Sequence, residues 1–308
     1  MPISKTFTLP TTGAKVPAVG FGAGTKWFKR GGASDPFDTA LVQTITQAVD
    51  VGFTHIDGAE IYGTDGEIGQ ALAEIIKGGK SRSDLWITNK YFAGDSSYKY
   101  RSSSGTPLDA IKKQLKETGA DYFDLYLLHS PWIKRESHGF SLQEAWQSLE
   151  QAQELGLAKN IGVSNFGVEP LQDILKVAKV VPQVNQIEFN AYLQNQTPGI
   201  FEFAQEHKIL LSAYAPLAPL YKGPGPIDPV VAALTKKYGK SDTQVLLRWV
   251  IQKGVLPITT TSRKERLTEI LGIFDFELTQ EEVDEIATLG EQKKLRLYWI
   301  PDYSKYDD

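Results

Sequence analysis

Short apolar runs recur along this chain, each separated from the next by a longer stretch of helical spacing. That alternation constrains the fold more than any other feature. Eight runs can be drawn, at residues 18–22, 55–57, 85–88, 124–128, 159–163, 183–187, 210–214 and 255–259. Strand, helix and parallel strand in succession make a βαβ unit, and eight such strands are the number that closes a barrel. Between the runs, residues 64–77 and 142–155 read as amphipathic helices; in the second, Leu142, Ala145, Trp146, Leu149 and Ala152 fall on one face and are expected in the core. The predicted class is therefore α/β, a (β/α)8 TIM barrel, with 1–308 as a single domain. A hydrophobic fraction of 41% is sufficient for its core. Residues 7–17 have strand–turn–strand chemistry, and a small β-hairpin plugging the barrel floor is expected there. Residues 92–106, 218–228 and the tail from Gln292 read as long loops at the catalytic face.

A parallel barrel keeps its reactive groups just past the strand ends. Three consecutive runs finish in such groups: Asp57 with Tyr62 five residues on, Lys90, and His129. A phenol is a poor acid and protonates a substrate near neutral pH only if a cation or hydrogen-bond donor stabilises its phenolate. Tyr62 is the candidate donor. Lys90 is expected to favour its phenolate, Asp57 to anchor Lys90, and His129 to stand beside the group that Tyr62 protonates. Lowering a phenol's pKa by two to three units takes about 3–4 kcal/mol, within reach of one close ammonium. Taken singly these residues are equally a rim ion pair, a packed ring and a structural imidazole; their joint arrangement favours catalysis.

The segments Gly52-Phe-Thr-His-Ile-Asp57-Gly-Ala-Glu-Ile-Tyr62, Gly162-Val-Ser-Asn-Phe166, Gln183-Val-Asn-Gln-Ile-Glu188, Ala213-Tyr-Ala-Pro-Leu217 and Gln244-Val-Leu-Leu-Arg-Trp249 carry a resemblance. In order and spacing the chain resembles the aldo-keto reductases, barrel enzymes that reduce carbonyls with a nicotinamide cofactor, from about Phe7 to Glu285. The resemblance implies the tetrad Asp57, Tyr62, Lys90 and His129. It implies that Ser164, Asn165 and Gln186 fix the nicotinamide amide, that Tyr214 stacks on its ring, and that Ala215, Pro216 and Leu217 approach the pyrophosphate. Ala215 stands where a serine is common. The family's phosphate-site lysine is replaced: Thr259, Thr260 and Thr261 are followed by Ser262 and a helix containing Arg266. Hydroxyls, free N–H groups and an arginine at a helix start make a phosphate cradle, so Thr260, Thr261, Ser262 and Arg266 are assigned to NADPH, with Glu269 reaching the adenine. Gly20-Phe-Gly-Ala-Gly24 lacks the spacing of a dinucleotide fingerprint. It reads as a tight turn presenting Thr25 and Lys26, which join the cofactor set.

Trp27, Phe92, Trp132 and Trp299 are expected on loops around the mouth as an aromatic substrate wall. Such a rim suits a flat carbonyl compound, and the loop sequences look like a fungal branch that reduces cyclic α-dicarbonyls such as ketopantoyl lactone and isatin. A broad aldehyde or aldose reductase, a pentose dehydrogenase and an NADPH-binding channel subunit are the alternatives. A net charge of −4 without a basic tract gives no case for nucleic acid or membrane binding. The absence of cysteine excludes thiolate chemistry, and the histidines lack metal-ligand spacing, so no metal is expected. The start lacks an apolar signal core, and a cytoplasmic monomer acting on a small molecule is the expectation.

Overall fold

The structure, a computed structural model, describes residues 5–30, 35–222 and 224–307; residues 1–4, which belong to the start read above, lie outside it. Two short strands come first, β1 (Thr6–Thr8) and β2 (Lys15–Pro17), antiparallel with Phe7 opposite Val16. Eight parallel strands follow and close a barrel: β3 (Gly20–Gly22), β4 (His55–Asp57), β5 (Trp86–Tyr91), β6 (Phe123–Leu128), β7 (Ala158–Ser164), β8 (Val184–Glu188), β9 (Leu210–Tyr214) and β10 (Leu256–Thr259). Neighbours in the chain are neighbours in the sheet, and β10 closes onto β3. All eight expected strands are present, within a few residues of their predicted bounds.

The strand sequences explain the layers. In β6 every residue is buried, as for a strand covered on both faces. Tyr126 and Leu128 join the core under the helices, while Leu125 and Leu127 join a second cluster inside the barrel. That inner cluster includes Leu9 and Val16, so the hairpin does close the floor. The helix Leu142–Glu154 packs the expected five residues and is started by a reciprocal cap between Ser141 and Glu144, a device that stabilises by about 1 kcal/mol.

The long insertions are at the other end. Residues 92–106 form an irregular loop. The segment expected as a loop at 218–228 contains a helical turn, Ala218–Tyr221, and the tail contains another, Ile300–Tyr303. Both begin with proline at the second position, which presets the backbone angle and lacks the N–H a first turn leaves unused. Among the described residues no helix is long and apolar enough to cross a membrane, and no group of three or more His, Cys, Asp or Glu could hold a metal.

Candidate active site

Asp57 ends β4, Lys90 lies one residue from the end of β5, and His129 follows β6. Tyr62 sits in a single turn, Glu60–Tyr62, stopped by Gly63 at φ 67°. The fold brings all four together. Lys90 Nζ donates to Asp57 Oδ1 at 2.6 Å and to the Gly58 carbonyl at 2.8 Å. The other carboxylate oxygen accepts from Gln186 Nε2 at 2.9 Å. The ammonium stands 5.4 Å from the centre of the Tyr62 ring, and His129 meets that ring edge-on at 5.9 Å. Asp57, Tyr62 and His129 line a cavity of about 930 Å³. Lys90 is wholly buried behind it. Gly24 makes room for the phenol: a methyl group in place of its hydrogen would lie 2.7 Å from the Tyr62 ring.

The electrostatics correct one expectation. The phenol is not held below its ordinary range here. Burial first, then the Asp57 carboxylate and Tyr298, push Tyr62 above the ordinary phenol value. The hydrogen bonds of the ammonium go to Asp57 and the Gly58 carbonyl rather than to the phenol. A raised pKa keeps the donor protonated until negative charge develops on a substrate oxygen beside it. Burial and the nearby Lys90 charge hold His129 well below the usual imidazole range, hence neutral. Its Nδ1 is buried without a hydrogen-bond partner among the described residues. A bare lone pair is better tolerated there than an orphaned N–H, which places the ring proton on Nε2. Burial also lowers Lys90, against the raising effect of Asp57.

The residues expected to hold a nucleotide fall into three groups. Gln186, with its nitrogen on Asp57, has an amide oxygen without a protein partner among the described residues, the acceptor a carboxamide needs. Asn165 is already saturated: its nitrogen donates to the His129 carbonyl and Ser164 Oγ, and its oxygen accepts from Tyr214 and Gln196. Ser164 is buried and donates to the Gln186 carbonyl at 2.8 Å. These bonds fix the Tyr214 ring, whose edge-on neighbour is Tyr298 at 5.5 Å. Tyr214, Ala215, Pro216, Leu217, Thr25 and Thr260 all line the cavity. Thr261, Ser262 and Arg266 are not part of its lining; the first two precede the helix Lys264–Leu271 and Arg266 is in its first turn. Lys26 stands over the Trp27 ring at 4.7 Å, outside the cavity lining. Glu269 does not reach the cavity; its carboxylate accepts from Ser241 Oγ.

The aromatic wall differs from the expected one. Phe92 and Trp299 line the cavity. Trp27 does not: it is 6% exposed, packed in the core, with Nε1 donating to Thr260 Oγ1 at 3.3 Å. Trp132 stands behind Trp299 with ring centres 4.7 Å apart, so it backs the wall rather than forming it. Phe28 and Tyr298, which the sequence reading did not single out, line the cavity as well. Two carboxylates were missed. Glu60 accepts from the Phe92 N–H at 2.9 Å and from Ser102 Oγ at 2.6 Å, fastening the 92–106 loop beside Tyr62. Glu188 grips the tail. Its sequence signal was a carboxylate closing a run that already ends in polar groups.

Among the described residues, four of the six non-glycine residues with positive φ, Thr25, Asn165, Ala215 and Trp299, line this cavity. Left-handed backbone at such residues costs about 1–3 kcal/mol each, and its concentration here marks a surface held in shape.

Comparison with known proteins agrees with this geometry. The model of the aldo/keto reductase family matches residues 20–291. An NADPH-dependent alpha-keto amide reductase of Saccharomyces cerevisiae is 48% identical over 98% of this chain and 96% of its own. An NAD/NADP-dependent indole-3-acetaldehyde reductase of Schizosaccharomyces pombe is 38% identical over 93% and 96%. Among solved structures, an aldo-keto reductase of Bombyx mori in complex with NADP superposes with a TM-score of 0.81 at 30% identity, covering 100% of both chains.

Proposed function

The chain belongs to the aldo/keto reductase family, and from that premise we propose that it is an NADPH-dependent carbonyl reductase of cyclic α-dicarbonyl compounds. The observation that carries this reading is the convergence of Asp57, Tyr62, Lys90 and His129 at one end of a cavity whose other parts suit a dinucleotide. Gln186 offers a carboxamide acceptor, Tyr214 a fixed ring, residues 215–217 a close backbone, and Thr260 to Arg266 a cradle for the 2′-phosphate.

Bound there, the nucleotide would supply a hydride for reduction of the carbonyl. His129 donates its Nε2–H to the carbonyl oxygen and orients it. Tyr62 gives its O–H proton to that oxygen as negative charge develops, and a positioned acid of this kind contributes about 10²–10⁴ in rate. Lys90 stabilises the phenolate left behind, and Asp57 holds Lys90 in place.

Phe28, Phe92, Tyr298 and Trp299 present ring faces and edges to the substrate end, which suits a flat compound. The Saccharomyces cerevisiae relative's name supplies the chemistry: isatin is itself a cyclic α-keto amide, and ketopantoyl lactone is the corresponding keto lactone. The Schizosaccharomyces pombe relative supports a second reading, an aldehyde reductase. Initial rates of NADPH and NADH oxidation with ketopantoyl lactone, isatin, an aromatic aldehyde and xylose separate them. Fast NADPH-dependent turnover of the dicarbonyls is expected. Preference for xylose or the aldehyde would discard the substrate class and keep the reductase. A cytoplasmic monomer completes the reading, checked by gel filtration and fractionation.

A further inference from the structure

The cavity wall contributed by the C-terminal tail consists of Leu297, Tyr298 and Trp299. Residues 294–299 form neither helix nor strand, so their backbone groups must find partners elsewhere. Two converge on one side chain. Glu188, the last residue of β8 and 0% exposed, accepts from the Leu297 N–H at 2.8 Å with one carboxylate oxygen and from the Tyr298 N–H at 3.1 Å with the other. It lies two residues beyond Gln186 on the same strand and beside Tyr214 in the register of β9. Around it stand Tyr214 on β9 and, on the tail, Tyr298, Arg296 and Asp307. Arg296 is bonded to Asp307 and to the Gln196 carbonyl, so no cation hydrogen-bonds Glu188 itself among the described residues.

A neutral amide presents one oxygen to such a pair of N–H groups, whereas a carboxylate presents two. We propose that Glu188 is a positioning residue for the substrate pocket: by gripping both N–H groups it sets how far the Leu297–Trp299 wall stands from Tyr62, and hence which carbonyl compounds fit. This rests on the reductase reading above. Burial first, opposed by the two amides and Arg296 and reinforced by Asp307, raises the carboxyl's pKa to about 7. The two-oxygen grip is complete when Glu188 is ionised. As pH falls through about 7 a proton occupies one oxygen, turns it toward donating, and loosens the wall.

The test compares isatin, which spans the pocket, with propanal, which is too small to touch the tail wall, using NADPH-loaded wild type and Glu188→Gln from pH 6 to 8. In the wild type the ratio of KM for isatin to KM for propanal should rise several-fold as pH falls, and taking the ratio removes the pH dependence of the proton transfer itself. In the variant the ratio should be flat with pH and stay at the raised value, the loss falling on KM for isatin rather than on kcat. Amide hydrogen exchange at Leu297 and Tyr298 should speed up about tenfold in the variant, as for a lost bond to a charged acceptor. A pH-independent ratio in the wild type, equal changes for both substrates, or unchanged exchange overturns the proposal. If the variant does not fold, the wild-type ratio and wild-type exchange across the same pH range decide it. If the wild type turns over neither compound, the reductase reading fails instead, and exchange alone still decides the clasp.

Discussion

Replacing Asp57 by asparagine removes one charge and almost no volume, so it isolates what the buried pair contributes. Lys90 is 0% exposed and Asp57 2%, and they meet at 2.6 Å. In Asp57→Asn the ammonium keeps the Gly58 carbonyl and gains an amide oxygen, but has no counter-charge. It is relieved by losing its proton, which at pH 7 costs at most 1.36 kcal/mol times the gap from an ordinary lysine pKa, about 4.6 kcal/mol. Removing one partner of a buried pair costs about 3–5 kcal/mol. Both routes meet near 4 kcal/mol. The sign of the pH dependence follows from proton counting. The unfolded variant binds a proton at Lys90 that the folded variant lacks, a depressed folded pKa, so its stability rises with pH by up to about 1.4 kcal/mol per unit between about pH 7 and 10. Urea unfolding followed by tryptophan fluorescence at pH 7, 8 and 9 measures both quantities, and the wild type should show a shallower slope. Adding Lys90→Met should recover most of the loss, because neither charge then remains. A loss below about 1 kcal/mol, or one that is the same at all three pH values, refutes the argument.

Tyr62→Phe should lower kcat by about 10²–10⁴ while NADPH affinity, read by fluorescence titration, stays close to wild type; retention of most of kcat would show that another acid does the work. Arg266→Ala should weaken NADPH far more than NADH in the same titration, and equal losses would move the 2′-phosphate elsewhere. Gly24→Ala places a methyl 2.7 Å from the Tyr62 ring at a backbone conformation alanine tolerates, φ −102°. The ring must yield, and a displacement of order 1 Å should lower kcat about 10²-fold with little change in melting temperature. A variant with normal kcat would mean that Tyr62 shifts without consequence.

The barrel is legible in the chain because parallel strands are buried on both faces, and a run such as Phe123–Leu128 is nearly all apolar as a result. The tetrad is legible for a related reason, since a charged residue finishing such a run can face only the mouth. Loop side chains are another matter. Trp27 and Phe92 are both aromatic residues in loops at that mouth, yet one is core and the other is wall. Spacing fixes direction only where the backbone is periodic. Glu188 meets the tail across 109 and 110 residues, and a carboxylate's partners at that distance leave no trace in local pattern. The left-handed backbone at Asn165 and Ala215 is equally silent, because neither is glycine. The raised phenol of Tyr62 was misjudged because burial, its leading cause, depends on how the whole chain packs around the ring.

The floor closed by Leu9 and Val16 has a consequence for the order of events. Together with Trp86, Leu125, Leu127, Val184, Leu210, Leu256 and Ile258 it forms an apolar stopper at the end of the barrel opposite the mouth. Tyr62 opens onto the cavity at the other end, so the wet side of the acid is the cavity itself. The proton that Tyr62 hands to an alkoxide is replaced through the opening by which the alcohol leaves. Release and recharging of the acid therefore share one passage, and the site is ready for a second carbonyl only after the first alcohol has cleared it.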